Sequence, residues 1–206
     1  MPRMDTKRVR RPAEVAVAAG AVWLAGISPV PGVYLEPDPA RRLTMLRKGQ
    51  RSWVVGQHVA AAATTAMPAA FARLALALPA GRARAMVGTA AFALAAGAPL
   101  FVSQLALRAS DLERFAARRL PGWPFLGYAW LHVLALGSLS GALASLPDRE
   151  KEAAAVGLAA LGSGMVLAKT GDIPPFVFYV AEQLAAASFL RRDPPRHPRA
   201  SSLLKQ

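Results

Sequence analysis

The sequence predicts an all-α polytopic transmembrane helix bundle of about six spans, with two short amphipathic helices at the membrane interface. Hydrophobic residues make up 54% of the 206-residue chain, and charged residues only 18%. The charges gather in short clusters that are separated by long charge-free runs. A soluble helix keeps one face in water and carries charges along its length, so this distribution favours a membrane protein.

Each long charge-free run approaches or exceeds the roughly 20 apolar residues that a helix needs to cross a bilayer. These runs are Val15 to Leu35, Ser52 to Ala72, Ala85 to Leu107 and Leu120 to Pro147. Together with two shorter apolar stretches they predict spans at about 13–30, 52–78, 85–107, 124–146, 153–169 and 173–190. A single transmembrane domain, 13–190, is expected between a basic N-terminus, 1–12, and a basic, Pro-rich, disordered tail, 191–206.

The first span follows a cluster of basic residues. Pro29 and Pro31 predict that its helix ends near Ser28. A basic start followed by a short apolar stretch is also typical of a cleaved signal peptide. Because no A-x-A cleavage sequence follows Ile27, we expect the first helix to be retained.

Two segments between spans have the start and stop signals of short helices. In the first, Asp38 is a predicted N-cap, Pro39 fits the first helical position, and Gly49 closes the end. In the second, Ser110 and Glu113 match a capping box. Leu43 and Leu46 lie on one side of the first segment among basic residues, and Leu112, Phe115 and Ala116 share a face of the second. Such apolar faces are typical of helices that lie on a membrane surface.

The later span boundaries are marked by aromatic and polar residues. Trp53 and Trp123 are predicted to anchor the starts of the second and fourth spans at the interface. Asp172 is predicted to cap the sixth span, with Pro174 and Pro175 in its first turn.

The fourth span contains a GxxxG pattern at Gly137 and Gly141. Lipid tails are as apolar as leucine side chains, so helices in a bilayer associate largely through close contact at small residues. The pattern favours tight packing inside the bundle, and the alternative is a homodimer formed through this helix.

The net charge of +13 and the pI of about 11.4 would suggest a nucleic-acid partner in a soluble protein. Here the arginines flank apolar runs, so we expect the partners to be the lipid bilayer and, at the basic termini, anionic lipid, with no nucleic acid. Because both termini are basic, both are expected in the cytoplasm, which requires an even number of spans. The expected location is the cell membrane, and the Ala- and Arg-rich composition is typical of a high-GC bacterial genome.

Five polar side chains lie in the predicted spans, where they are costly: Gln57, His58, Gln104, His132 and Glu182. In a six-span topology all five fall in the outer half of the bilayer. His58, His132 and Glu182 lie about 10–13 Å below the outer ends of their helices at 1.5 Å per residue. We expect Glu182 to pair with one of the histidines, and the group to line a polar cavity open to the outside. The alternative is that each residue makes only a local interhelical hydrogen bond.

The functional hypotheses follow from this polar group. The chain has no cysteine, no H-E-x-x-H and no G-x-S-x-G sequence, so no catalytic, metal or cofactor residues are predicted, and an enzyme is not favoured. The first hypothesis is that the cavity binds or transports a small solute or a proton. The second is a structural, regulatory or accessory membrane protein. The third is a haem protein with His58 and His132 as axial ligands.

Overall fold

The computed structural model describes residues 6–191, and every regular element in that range is helical. The helices are α1 (Thr6–Ile27), α2 (Pro39–Lys48), α3 (Gln50–Ala77), α4 (Arg82–Ser110), α5 (Leu112–Ala116), α6 (Trp123–Ala144), α7 (Glu150–Thr170) and α8 (Phe176–Ser188). A single 3₁₀ turn, Pro31–Tyr34, lies between α1 and α2. Alanine and leucine dominate these segments and have high helix propensity. The all-α prediction is confirmed, and the predicted tail at 192–206 lies outside the described residues.

The six helices other than α2 and α5 form a closed ring. Each packs against the next ring helix along the chain, from α1 through α3, α4, α6 and α7 to α8, and α8 packs against α1. At one end of the bundle, which we call the turn end, residues 78–81 and 145–149 make short links. At the other end, the cap end, the links contain α2 and α5.

Four of the described helices, α3, α4, α6 and α7, are long and apolar enough to cross a membrane. α8 is apolar but has only 13 residues, and the first turns of α1 are basic. The outer surface of the ring exposes large apolar side chains; Phe92 is 77% exposed and Leu158 70%. Contiguous apolar surface is rare on soluble monomers, so this surface is suited to lipid.

The predicted signals of α2 are confirmed. Asp38 caps the helix by accepting a hydrogen bond from the backbone N–H of Arg41 at 2.7 Å. Pro39 is the first helical residue, where its missing N–H has no consequence, and Gly49 is the C-cap. The location of α2 at a membrane surface stays a prediction.

The predicted capping box at Ser110 is wrong. α4 continues through Ser110, and Asp111 caps α5 by accepting from the N–H of Arg114 at 2.9 Å. Ser110 and Asp111 are adjacent and are equally good N-cap residues, so the sequence did not show which of them caps the helix. α5 then ends at Ala116, before the Pro121–Gly122 pair.

The predicted start of the last helix is also wrong. α8 begins at Phe176, and the Asp172 carboxylate accepts only from the N–H of Ile173, at 2.8 Å. The residue that precedes a proline is disfavoured in the helical region of φ/ψ space. Ile173 and Pro174 each precede a proline, so both stay outside the helix.

A second small core lies at the cap end, where α2 packs against α5. Trp53 is fully buried in it and donates its Nε1–H to the carbonyl oxygen of Arg108 at 2.8 Å. The prediction that Trp53 faces the interface is therefore wrong, because α5 and the 3₁₀ turn cover it; Trp123 is 68% exposed. The other buried residues of this core are Val33, Leu46 and Ala116.

Close helix contact through glycine occurs at a different place from the predicted GxxxG. A methyl group at Gly56 of α3 would overlap the carbonyl oxygen of Gly26 on α1. In α6, Gly137 faces open space, and Gly141 lies against the flexible end of Met86. The glycine contact that brings two backbones together therefore joins α1 to α3. A homodimer through Gly137 and Gly141 stays a prediction.

Candidate functional site

The site is a buried histidine–carboxylate pair between α6 and α8. His132 Nε2 lies 3.5 Å from Glu182 Oε1. His132 is 2% exposed, and Glu182 has no exposed surface. Helical spacing adds an aromatic residue beside each member, since Tyr128 precedes His132 by one turn and Tyr179 precedes Glu182 by three residues.

The hydrogen bond made by His132 Nδ1 determines the tautomer of the neutral imidazole ring. It therefore determines whether Nε2, which faces the carboxylate, is a donor or an acceptor. His132 Nδ1 lies 3.0 Å from the carbonyl oxygen of Tyr128. A carbonyl oxygen only accepts, so Nδ1 carries the hydrogen and Nε2 of the neutral ring is an acceptor. Two acceptors that face each other repel, and the repulsion is relieved when one of the two groups is protonated. The pair therefore holds one further proton, either on the carboxyl group or on the ring.

Aromatic rings enclose the pair. The His132 ring centroid lies 4.0 Å from that of Tyr128, 5.2 Å from that of Phe178 and 5.9 Å from that of Tyr179. Trp23 of α1 stacks on Tyr179 with a centroid separation of 4.0 Å. These rings exclude water and lower the local dielectric constant, which strengthens any electrostatic interaction inside the enclosure.

The polar atoms around the pair are only partly satisfied. Thr64 Oγ donates to the carbonyl oxygen of Ala60 at 2.9 Å, so the hydroxyl of Tyr179, 2.8 Å away, must donate to Thr64 Oγ. Both oxygens of Glu182 and the hydroxyl of Tyr128 are buried and have no hydrogen-bond partner among residues 6–191. Most buried polar atoms in proteins are hydrogen-bonded, and exceptions commonly mark functional positions.

A series of contacts links the pair to the cap end. Tyr128 stacks on Phe101 with a centroid separation of 4.2 Å. The guanidinium of Arg108 lies 5.5 Å from the Phe101 ring centroid and 5.6 Å from that of Phe115 on α5. Arg108 is thus held between two rings by cation–π contacts. It lies between the pair and the cap.

Of the five predicted site residues, the structure brings together His132 and Glu182. His58 is exposed on the outside of the ring. Gln104 is buried and donates its Nε2–H to the carbonyl oxygen of Pro121 at 2.6 Å, which fixes the link before α6. Gln57 is buried, and its amide has no hydrogen-bond partner within the described part of the chain.

The positions of His58, His132 and Glu182 do not fit two expectations from the sequence, the haem site and the outward-open cavity. A haem with two axial histidines needs both rings to face one site, but His58 points outward and His132 is buried beside Glu182. An outward-open cavity would expose the carboxylate to solvent, and Glu182 has no exposed surface. The cap and the aromatic rings cover the pair on the side where the opening was expected.

Four contributors to the site were not identified from the sequence: Trp23, Thr64, Tyr128 and Tyr179. A usable signal was present for two of them. Tyr128 and Tyr179 are polar aromatic residues within one helical turn of a residue that the sequence did identify, and buried tyrosine hydroxyls usually require a partner. Trp23 and Thr64 come from other helices, and their proximity follows only from the ring arrangement.

The described residues define the class of protein only broadly: an all-helical bundle with four helices long and apolar enough to cross a membrane. The chain matches no known protein family, no curated protein and no solved structure. Within 6–191, no group of three or more His, Cys, Asp or Glu side chains is placed to hold a metal ion.

Proposed function

We propose that this protein spans the cell membrane six times and carries protons across it through the His132–Glu182 pair. The single observation that supports this best is the geometry of the pair, in which Nε2 and Oε1, the two groups that can hold the further proton, lie 3.5 Å apart. That proton has two alternative positions, and a group that exchanges a proton between two states is the basic element of a proton path. The enclosure favours a proton over a larger solute, because aromatic rings surround the pair.

The cost of the carboxylate supports a functional role. A charged side chain at the centre of a bilayer costs about 2.5–3.5 kcal/mol on insertion scales. Intramembrane ionisable residues are rare for this reason and commonly mark proton relays or transport paths. Glu182 lies on α8, the shortest helix of the ring, and leucine at the same place would avoid this cost.

The six-span topology is supported by the closed ring. α1 and α8 pack along helices that are long enough to cross a membrane, and they pack against each other. In the topology proposed here, the turn end and both termini lie in the cytoplasm, and the cap end lies outside.

A reporter enzyme active only outside the cytoplasm tests this topology. We expect activity when it is inserted after Gly49, and none when it is inserted after Ala80 or fused after Gln206. Activity at the C-terminal fusion would place the C-terminus outside and would contradict the proposal.

Proton passage is tested in proteoliposomes that contain a trapped pH-sensitive dye. A potassium gradient with valinomycin makes the interior negative and draws protons inward. We expect the wild type to acidify the interior faster than empty liposomes do. Glu182→Gln and His132→Ala are expected to reduce the rate to that of empty liposomes, because each removes one of the two positions of the proton.

The matched control is Glu113→Gln, which makes the same chemical change at an exposed carboxylate that pairs with Arg47 at 2.8 Å. It should acidify at the wild-type rate. If wild type, Glu182→Gln and empty liposomes give the same rate, the proton proposal is wrong.

The second candidate is an accessory membrane protein in which the pair only joins helices. It is favoured by the contacts themselves, since His132–Glu182 joins α6 to α8 and the Tyr179–Thr64 hydrogen bond joins α8 to α3. In that case glutamine at 182, which keeps the shape and can donate a hydrogen bond to Nε2, should leave the melting temperature unchanged and no proton flux should be measured for any variant.

A further inference from the structure

We propose that the groove between α3 and α4 at the turn end binds one anionic phospholipid. An acyl chain would lie in the groove, and the phosphate would contact the arginines at its mouth. This inference rests on the membrane topology proposed above but is independent of the proton chemistry.

The groove has the size and lining of an acyl-chain site. Its volume is about 730 Å³, and small or apolar residues line it, among them Ala69, Ala72, Gly88 and Phe92. Gly88 has no atom of another residue within reach of an added Cβ, so the space over it is open. Along α3 the lining runs from Thr65 to Leu76, which is roughly 16 Å at 1.5 Å per residue. This length is close to one leaflet of a hydrocarbon core about 30 Å thick.

The mouth of the groove carries positive charge. Arg84 lines the groove near the start of α4, and Arg73 and Arg82 lie at the same end of the two helices. All three are exposed, and none has an ion-pair partner in the described ranges. In the proposed topology they face the cytoplasmic leaflet, which carries the anionic lipids in most cells. A phosphate has the complementary charge and lies at the depth of these guanidinium groups.

A second groove provides an internal comparison. It lies between α6 and α7, has a volume of about 590 Å³ and includes Gly137 and Gly164 in its lining, but no charged residue lines it. Both grooves therefore offer space for an acyl chain, and the charged lining residue belongs to the α3–α4 groove. Lipid at the second groove should show no preference for an anionic headgroup.

The test is native mass spectrometry of the full chain in mild detergent, with phosphatidylglycerol or phosphatidylcholine added. We expect the wild type to retain one phosphatidylglycerol and to prefer it over phosphatidylcholine. Replacement of Arg73, Arg82 and Arg84 by glutamine should weaken retention by about five-fold for each guanidinium removed. The matched control replaces three exposed arginines at the cap end, Arg41, Arg51 and Arg119, by glutamine, and it should retain the lipid.

Filling the groove tests the acyl-chain part without a change of charge. Gly88→Leu places a side chain in the open space and should abolish retention, whereas Gly137→Leu, which fills the second groove, should preserve it. A free phosphate at the arginines would be insensitive to Gly88→Leu, so retention in that variant overturns the proposal. Equal retention of the two lipids by the wild type also overturns it.

Two further results distinguish a lipid site from a dimer interface and from the proton site. If the wild type is a dimer and Gly88→Leu is a monomer, the groove is an interface between two copies, and the lipid proposal is wrong. Glu182→Gln should retain phosphatidylglycerol as the wild type does. Loss of proton flux therefore tests the His132–Glu182 pair, and loss of lipid retention tests the groove.

Discussion

Arg42 in the cap and Glu182 in the ring are both ionisable side chains with almost no exposed surface, but their surroundings differ. Arg42 is 2% exposed, and its guanidinium donates to the carbonyl oxygens of Glu36, Pro37 and Ala116. Glu182 is fully buried, its Oε1 lies 3.5 Å from His132 Nε2, and neither of its oxygens accepts a hydrogen bond from residues 6–191. Every nitrogen of the first group donates a hydrogen bond, and neither oxygen of the second accepts one within the described residues.

This difference distinguishes a structural charge from a candidate functional one. A buried charge whose hydrogen bonds are all made holds its neighbours in place, and its removal leaves those neighbours unsatisfied. A buried charge with few partners reduces stability, and its removal should be tolerated by the fold. Arg42→Leu and the replacement of both Glu182 and His132 by leucine are therefore expected to change the free energy of unfolding in opposite directions.

The largest expected effect is at the cap. Arg42→Leu should lower the free energy of unfolding by about 2–4 kcal/mol, because hydrogen bonds to charged groups contribute about 1.5–3 kcal/mol each and the carbonyl oxygens stay buried. The measurement is thermal unfolding of the detergent-solubilised protein, followed by tryptophan fluorescence. Arg41→Leu, at the exposed neighbouring position, should change the free energy of unfolding by less than about 0.5 kcal/mol. Equal effects of the two substitutions would show that Arg42 does not hold α2 to α5.

The opposite sign is expected in the ring. Replacing both members of the pair, Glu182→Leu with His132→Leu, should raise the free energy of unfolding by about 1–3 kcal/mol, since replacing a whole buried ionic pair by apolar side chains of similar size is often stabilising by this amount. Thermal unfolding in the same detergent measures this change in the free energy of unfolding. Proton uptake should be lost at the same time. A lower melting temperature of the double variant would mean that the pair is structural like Arg42, and the comparison would fail.

A smaller effect on the free energy of unfolding is expected at the hydrogen bond between Tyr179 and Thr64, which joins two helices of the ring. Tyr179→Phe and Thr64→Val each remove one partner of the 2.8 Å hydroxyl contact. A double-mutant cycle should give a coupling energy of about 0.6 kcal/mol, the average measured for interhelical hydrogen bonds in membrane proteins. The paired variants are compared by unfolding in the same detergent. A coupling energy indistinguishable from zero would indicate that the Tyr179–Thr64 hydrogen bond contributes nothing to stability.

The bounds of α2 were more predictable from sequence than the inward faces of the ring helices. Asp38, Pro39 and Gly49 act through backbone atoms a few residues away, so local sequence contains the information. In the ring helices, the surface that faces lipid is as apolar as the surface that faces other helices. Hydrophobic periodicity then gives no inward face, and the sequence could not distinguish buried Gln57 from its exposed neighbour His58. The pairing of His132 with Glu182 was anticipated as one of two possibilities because unpaired ionisable groups are costly in lipid.

Ring closure has a consequence for biosynthesis. Of the ring helices, α1 leaves the ribosome before the others and meets α3 soon afterwards, but its other neighbour, α8, follows the remaining ring helices. At about 5–20 residues per second, α1 waits roughly ten to thirty seconds for that partner. Glu182 lies on α8, so the nascent chain holds His132 without its carboxylate until α8 has been made. A chain released early would keep an open seam between α1 and α7, a feature that membrane quality-control proteases are suited to recognise.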